Sequence, residues 1–325
     1  VDEKDPRTRI DVDVGAGSAL IDFSPPTERI AVDERLLRDA RHVGDRVLEL
    51  RALTRLCCDY IELGDRANAR RAIDARAALG DALGSPRHRW STPLVRSMYA
   101  MLDGRYDECE ALATEAHAIA TELRGEDPNA TRCIALHRFC LSIVGGNNDD
   151  LPARMTGALR ALEPLSDSAL RAWVVSSGAA ALGEQARAID ALRTIVYTSC
   201  AGKARSIRTM AANAAAHCGA REEAAALYTW ISDHHEDAAF SCWGPFAFVC
   251  GLPIAQALAA TAFACGRHED GVRHARDALD VCEKTAASGP RAWVQLTLGE
   301  GLVRTKRGRD DASACAALDD ALAIA

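Results

Sequence analysis

Cys133, His137 and Cys140 fall at i, i+4 and i+7, which puts two thiols and an imidazole on one helix face and could hold a soft metal ion. Ile134, Leu136 and Leu141 lie beside them on an apolar stripe, and no fourth ligand follows from spacing. Core packing is therefore the expected role. His234-His235-Glu236-Asp237 and His268-Glu269-Asp270 also gather ligand-type side chains. Neighbours on a helix point about 100° apart and chelate poorly. Acidic residues opening a helix meet its positive dipole end, so capping is favoured for the second cluster. The run Ile10–Leu20 carries Gly15-Ala16-Gly17 after a short apolar stretch that could be a strand. A nucleotide-cofactor loop would need that glycine turn and then a helix N-terminus. Phe23-Ser24-Pro25-Pro26 breaks any such helix, and no alternating strand–helix pattern follows. Residues 1–27 are thus expected to be irregular or a partial repeat. G-x-x-x-x-G-K-[ST], G-x-S-x-G and C-x-x-C do not occur. Carboxylates are scattered over helical faces. The chain is read as non-enzymatic, with no cofactor and no metal.

The elements that would position these residues are helical. Alanine occupies 63 of 325 positions and aromatic residues only 5%. Alanine is the best helix former, and a sandwich or barrel needs far more Val, Ile, Thr and Tyr. The net charge of -7 disfavours direct nucleic-acid binding. No run of 18 apolar residues exists, and Val1-Asp-Glu-Lys-Asp is no signal peptide. Most of the twelve cysteines lie singly in apolar helical patterns, as small hydrophobes do in a reducing compartment. A cytoplasmic location is expected, with no membrane partner. Both ends look cut, which suggests a piece of a longer protein.

A turn recurs in which a glycine closes one helix and the next opens within a few residues. Its instances are Gly64, Gly104, Gly145, Gly183, Gly219, Gly266 and Gly308, at intervals of 40, 41, 38, 36, 47 and 42 residues. Periods of this size signal stacked helix pairs that cannot bury their stripes alone. Close crossing of two helices demands small residues. Seven positions before the glycines stand Cys57, Ser97, Arg138, Ser176, Ala212, Ala259 and Gly301; five after them stand Ala69, Cys109, Asp150, Ala188, Ala224, Gly271 and Ser313. The two large exceptions share the Gly145 unit, so its turn is expected to be longer or shifted. The sequence predicts an all-α, right-handed solenoid of about seven tetratricopeptide-like hairpins over residues 28–325, opened by an odd helix near Glu28–Val43.

The stretches Leu56–Ala69, Pro86–Ala120 and Gly251–Leu302 resemble the C-terminal tetratricopeptide-like region of large bacterial signalling ATPases, whose outputs include LuxR-type, cyclase or Ser/Thr kinase domains. The resemblance implies a sensor or regulatory domain that recognises a peptide, a protein, a small effector or its own switch module. A free-standing scaffold is the first alternative, and an enzyme with a site in the groove the second. The 47-residue interval holds an aromatic insert at Asp237–Leu252, including Trp243 and Phe246. It reads as a plug over neighbouring hairpins, or as a pocket wall. With Arg89, Trp90, Tyr99, Arg138 and Trp173, on or beside first helices that line the concave side of such arrays, Trp243 and Phe246 complete the expected partner-binding set.

Overall fold

The computed structural model of the protein describes residues 6–21, 24–123, 127–146, 148–165, 168–197, 205–234, 237–305 and 312–324. Its helices come in consecutive pairs. The first is α1 (Pro6–Ala19) with α2 (Pro26–Val43), followed by α3 (Arg46–Leu63) with α4 (Arg66–Leu83). A short α5 (Pro86–Arg89) leads into α6 (Ser91–Leu102), paired with α7 (Tyr106–Thr121). Then come α8 (Pro128–Val144) with α9 (Leu151–Ala161), α10 (Ser168–Ala181) with α11 (Gln185–Tyr197), and α12 (Arg205–His217) with α13 (Arg221–His234). An insert of β1 (Phe240–Trp243), α14 (Gly244–Ala247) and β2 (Val249–Pro253) interrupts the series. The last pairs are α15 (Ile254–Cys265) with α16 (His268–Lys284) and α17 (Ser288–Thr305) with α18 (Ala312–Ile324). Each pair packs on the next, which makes the chain an all-α solenoid of helix hairpins. Among the described residues no helix is long and apolar enough to cross a membrane.

The local causes are those of helix ends. Gly64, Gly104, Gly183, Gly219 and Gly266 all have left-handed backbones, with φ between 63° and 87°. Asp45, Asp65 and Asp127 cap the following helices by accepting backbone N–H groups. In the exceptional unit Gly146, not Gly145, takes the left-handed position. Every small residue predicted at a crossing is buried apart from Ser313. Two of them need to be glycine: a Cβ on Gly271 or Gly301 would lie 2.6 or 2.3 Å from the Phe263 ring. The Gly308 turn, the Gly125-Glu126 junction, Cys200 and His235-Glu236 lie outside the described residues.

The N-terminal region is more regular than expected. Residues 6–19 form a helix, so the helix near Glu28–Val43 has a partner and an eighth pair precedes the predicted seven. Ile10 packs with Leu36 and Ala52. The strand-and-glycine-loop alternative for Ile10–Leu20 is corrected by this helix. Gly17 serves packing: a Cβ there would stand 2.2 Å from Arg55 Nη1.

The winding brings early turns back against late junctions. Arg66 Nη1 donates to the Ala286 carbonyl (2.8 Å), Ser288 Oγ to the Asp103 carbonyl (3.0 Å) and Trp293 Nε1 to the Val144 carbonyl (2.8 Å). Gly289 lies so close that an added Cβ would be 2.3 Å from the Met101 carbonyl oxygen.

Candidate functional site

The insert covers first helices of the solenoid, the side that is concave in tetratricopeptide-like arrays. It touches α3, α6, α8, α12, α15 and α17, the first helices of their pairs, and also α16, a second helix; Trp243 meets Trp173 of α10 edge-on at 4.5 Å. β1 and β2 pair antiparallel, with Cys242 opposite Cys250 and Trp243 opposite Val249. This two-stranded ladder was not expected from the sequence. Phe248 turns the chain with a left-handed backbone, φ 53° and ψ 54°, which costs a residue with a Cβ about 1–2 kcal/mol. His137 offsets that cost. Its Nδ1 lies 2.9 Å from the Phe248 carbonyl and its Nε2 2.9 Å from Ser97 Oγ, an arrangement in which Nδ1–H donates and Nε2 accepts. Burial pushes His137 down to about 4, so it stays neutral near pH 7. Cys133 Sγ donates to the Phe246 carbonyl (3.1 Å), and Cys140 is buried among apolar neighbours. Two of the three residues that shared a ligand-like face thus anchor the insert.

Beside the insert lies an open groove of about 480 Å³. Its walls are the end of α1, one face of α3, the α5–α6 junction and the start of α8; Pro245 and Phe248 of the insert contribute the remaining side. Four arginines line it: Arg51 and Arg55 one turn apart on α3, Arg76 on α4 and Arg87 on α5. Arg76 is 2% exposed. Its guanidinium donates to Thr54 Oγ1 (2.9 Å), Ser91 Oγ (2.7 Å) and Thr92 Oγ1, all hydroxyls. Among the described residues no carboxylate pairs with Arg51, Arg76 or Arg87. Desolvation lowers the pKa of Arg76, and desolvation with neighbouring Arg55 lowers that of Arg51. Among the described residues the acid on the wall is Asp127, which is turned to the α8 N-terminus and accepts from the Asn129 (2.9 Å) and Ala130 (3.3 Å) amides.

Behind the groove is a buried charge cluster. Arg29 donates to Asp59 (3.0 Å), Glu62 and the Ser24 carbonyl (2.8 Å); Arg205 reaches Glu62; Arg55 reaches Asp33 at 3.4 Å. It ties α2, α3 and α12 together. Burial lifts Asp33 to about 6 and Asp59 to about 7 against the pull of the arginines facing them. The cavity here holds about 40 Å³, room for roughly one or two waters but not for an organic ligand.

No family model and no curated protein matches the chain. Among solved structures it is similar to the crystal structure of BtubC (BKLC) from P. vanneervenii, at 14% identity, over 93% of this chain and 91% of that one. The TM-score of 0.28 is too low for that likeness to carry an argument about fold or function.

The expected partner-binding residues do not form one surface. Trp90, Trp173 and Trp243 are 4%, 3% and 3% exposed, so they are core residues and not a concave face open to a partner. The reason is the insert: it supplies the apolar surface that a bound peptide would have offered them. Trp90 borders the groove floor beside Phe248, while Trp243 and the half-buried Phe246 border the small charged cavity. Tyr99 is 9% exposed and clasped between Arg66 and Arg70. Arg89 pairs with Asp81 at 3.5 Å, and Arg138 reaches Thr114 at 3.4 Å; neither lines the groove. Sequence reasoning missed Arg51, Arg55, Arg76 and Arg87. Arg76 did carry a signal, because it interrupts the apolar stripe Ala69, Ala72, Ile73, Ala77 with a charge.

Proposed function

We propose that the chain is a non-catalytic recognition domain of a larger signalling or regulatory protein, and that it binds a small ligand in the groove beside the insert. The observation that carries this reading is the insert itself. It occupies the concave side that tetratricopeptide-like arrays offer to peptides, and it forms one wall of the open groove. A ligand there touches a segment that contacts first helices from both ends of the solenoid. Its effect on the whole chain is then set by its differential affinity for two arrangements of that segment. The non-catalytic part rests on how the reactive groups are used. His137 is a neutral anchor, and burial pushes Cys57 and Cys133 up to about 12, far from a reactive thiolate.

Native mass spectrometry of the purified chain, before and after mild unfolding, tests the reading. A retained mass of a few hundred daltons that departs on unfolding is the expected result. A bare chain whose insert gains hydrogen-exchange protection only when a protein partner is added would overturn the small-ligand reading in favour of a scaffold.

A further inference from the structure

The groove has a charge that the rest of the chain does not share. The chain as a whole carries a net charge of -7, yet the groove wall gathers four guanidinium groups against Asp127 and, behind Arg55, Asp33. Among the described residues the local excess is about two positive charges. Arg76 is the least ordinary of them. A buried arginine is normally held by a carboxylate, since desolvating an unpaired charge is costly. Here three hydroxyls do that work, and they neutralise nothing. Thr54 Oγ1 donates its own hydrogen bond to the Leu50 carbonyl (2.7 Å), whereas the Ser91 hydroxyl, polarised by Arg76, remains a donor at the groove wall.

From this geometry we infer that the ligand is a small organic phosphate, with its phosphoryl group held among Arg51, Arg76, Arg87 and Ser91; the inference rests on the recognition reading above. A phosphate monoester carries about -1.5 to -2 at pH 7, which matches the excess of the groove, whereas a single carboxylate leaves half of it unmet. Guanidinium forks and hydroxyl donors suit three phosphoryl oxygens at once. The 480 Å³ of the groove leaves space beyond a phosphoryl group for an organic body of nucleotide or sugar size against Pro245 and Phe248.

The test is calorimetric titration of the whole chain with AMP, inorganic phosphate, adenosine and succinate, at low salt and again at several-fold higher salt. AMP and phosphate are expected to bind saturably and in competition, more weakly as salt rises, with adenosine and succinate far weaker. Arg51 and Arg87 are both exposed, so the R51A/R87A double variant is expected to keep its melting temperature and to bind AMP about tenfold or more weakly. Arg76→Gln is expected to lose binding further and is compared only after its melting is shown to be cooperative. Succinate binding as tightly as AMP would replace phosphate by carboxylate and overturn the inference. Undiminished AMP binding by R51A/R87A would move the site elsewhere and overturn it too, as would the absence of any AMP or phosphate signal. A neutral ligand seen by native mass spectrometry and expelled by the groove-filling Asn129→Trp would refute the phosphate while leaving the recognition reading intact. No retained ligand, together with no binding of any probe, would remove both.

Discussion

His137 shows how one side chain can decide a local structure. Its two nitrogens satisfy Ser97 and the Phe248 carbonyl, and the left-handed turn of the insert depends on that bond. The pH dependence follows from its lowered pKa of about 4. Below about 6.5 the unfolded chain takes up a proton that the folded chain refuses. The His137 contribution therefore falls as pH drops from 6.5 towards 4, by roughly 3 kcal/mol in all at 1.36 kcal/mol per unit. Asp33 and Asp59 act in the opposite sense: raised to about 6 and 7, they are protonated in the folded state first, so acid relieves their burial cost. The His137→Gln variant isolates the histidine. Denaturant midpoints measured from pH 7.5 to 4.5 should lie below wild type near neutrality and converge on it in acid. A constant gap between the two curves would show that His137 does not titrate as described.

At the scale of elements, Glu62 is the joint between helices that are far apart in sequence. It accepts from Arg29 of α2 and Arg205 of α12 at once, with all three side chains buried. Removing the acid takes from Arg205 the buried carboxylate it reaches and leaves Arg29 to Asp59, and truncating one partner of such a cluster costs about 3–5 kcal/mol. Glu62→Ala is expected to lower the unfolding free energy from urea titration by that much without changing far-UV ellipticity, because it unties helices without unwinding them. The insert is the second such joint. Replacing residues 238–252 with a short Gly-Ser link should expose Trp90 and Trp173, seen as a red shift in tryptophan emission and binding of a hydrophobic dye. An unshifted spectrum would mean that the first helices close on one another without the plug.

Over the whole molecule, the solenoid is held by contacts between its early and late pairs as well as by neighbour-on-neighbour stacking. An open array approximates a sum of repeats and loses cooperativity as it lengthens. The Gly104–Gly289 approach and the bonds of Arg66, Ser288 and Trp293 bridge that distance here. Gly289→Ala places a methyl 2.3 Å from a backbone carbonyl and should cost about 1–3 kcal/mol. It should also lower the denaturant m-value, with α15–α18 melting before the rest. A lowered midpoint with an unchanged m-value would mean that stacking alone makes the chain cooperative.

The helices, their pairing and their turns were legible in the sequence because their causes are local. A glycine seven residues after one small side chain and five before another describes a crossing that any neighbour would respect, and Gly64, Gly104 and Gly266 sit where that rule puts them. The helix at residues 6–19 was obscured by Gly15 and Gly17, which weaken helix propensity; only the packing of Gly17 against Arg55 explains why one is tolerated. The aromatic insert could be seen, and a plug was among its expected roles. Its consequence for Trp90, Trp173 and Trp243 could not, since whether an apolar side chain faces solvent or core depends on what else fills the concave side. The groove lay furthest from reach. Arg51, Arg76 and Arg87 come from three helices and are unremarkable in a chain rich in arginine. Their shared lack of a carboxylate is a property of tertiary neighbours, because charge balance is settled by distance in space and not by order along the chain.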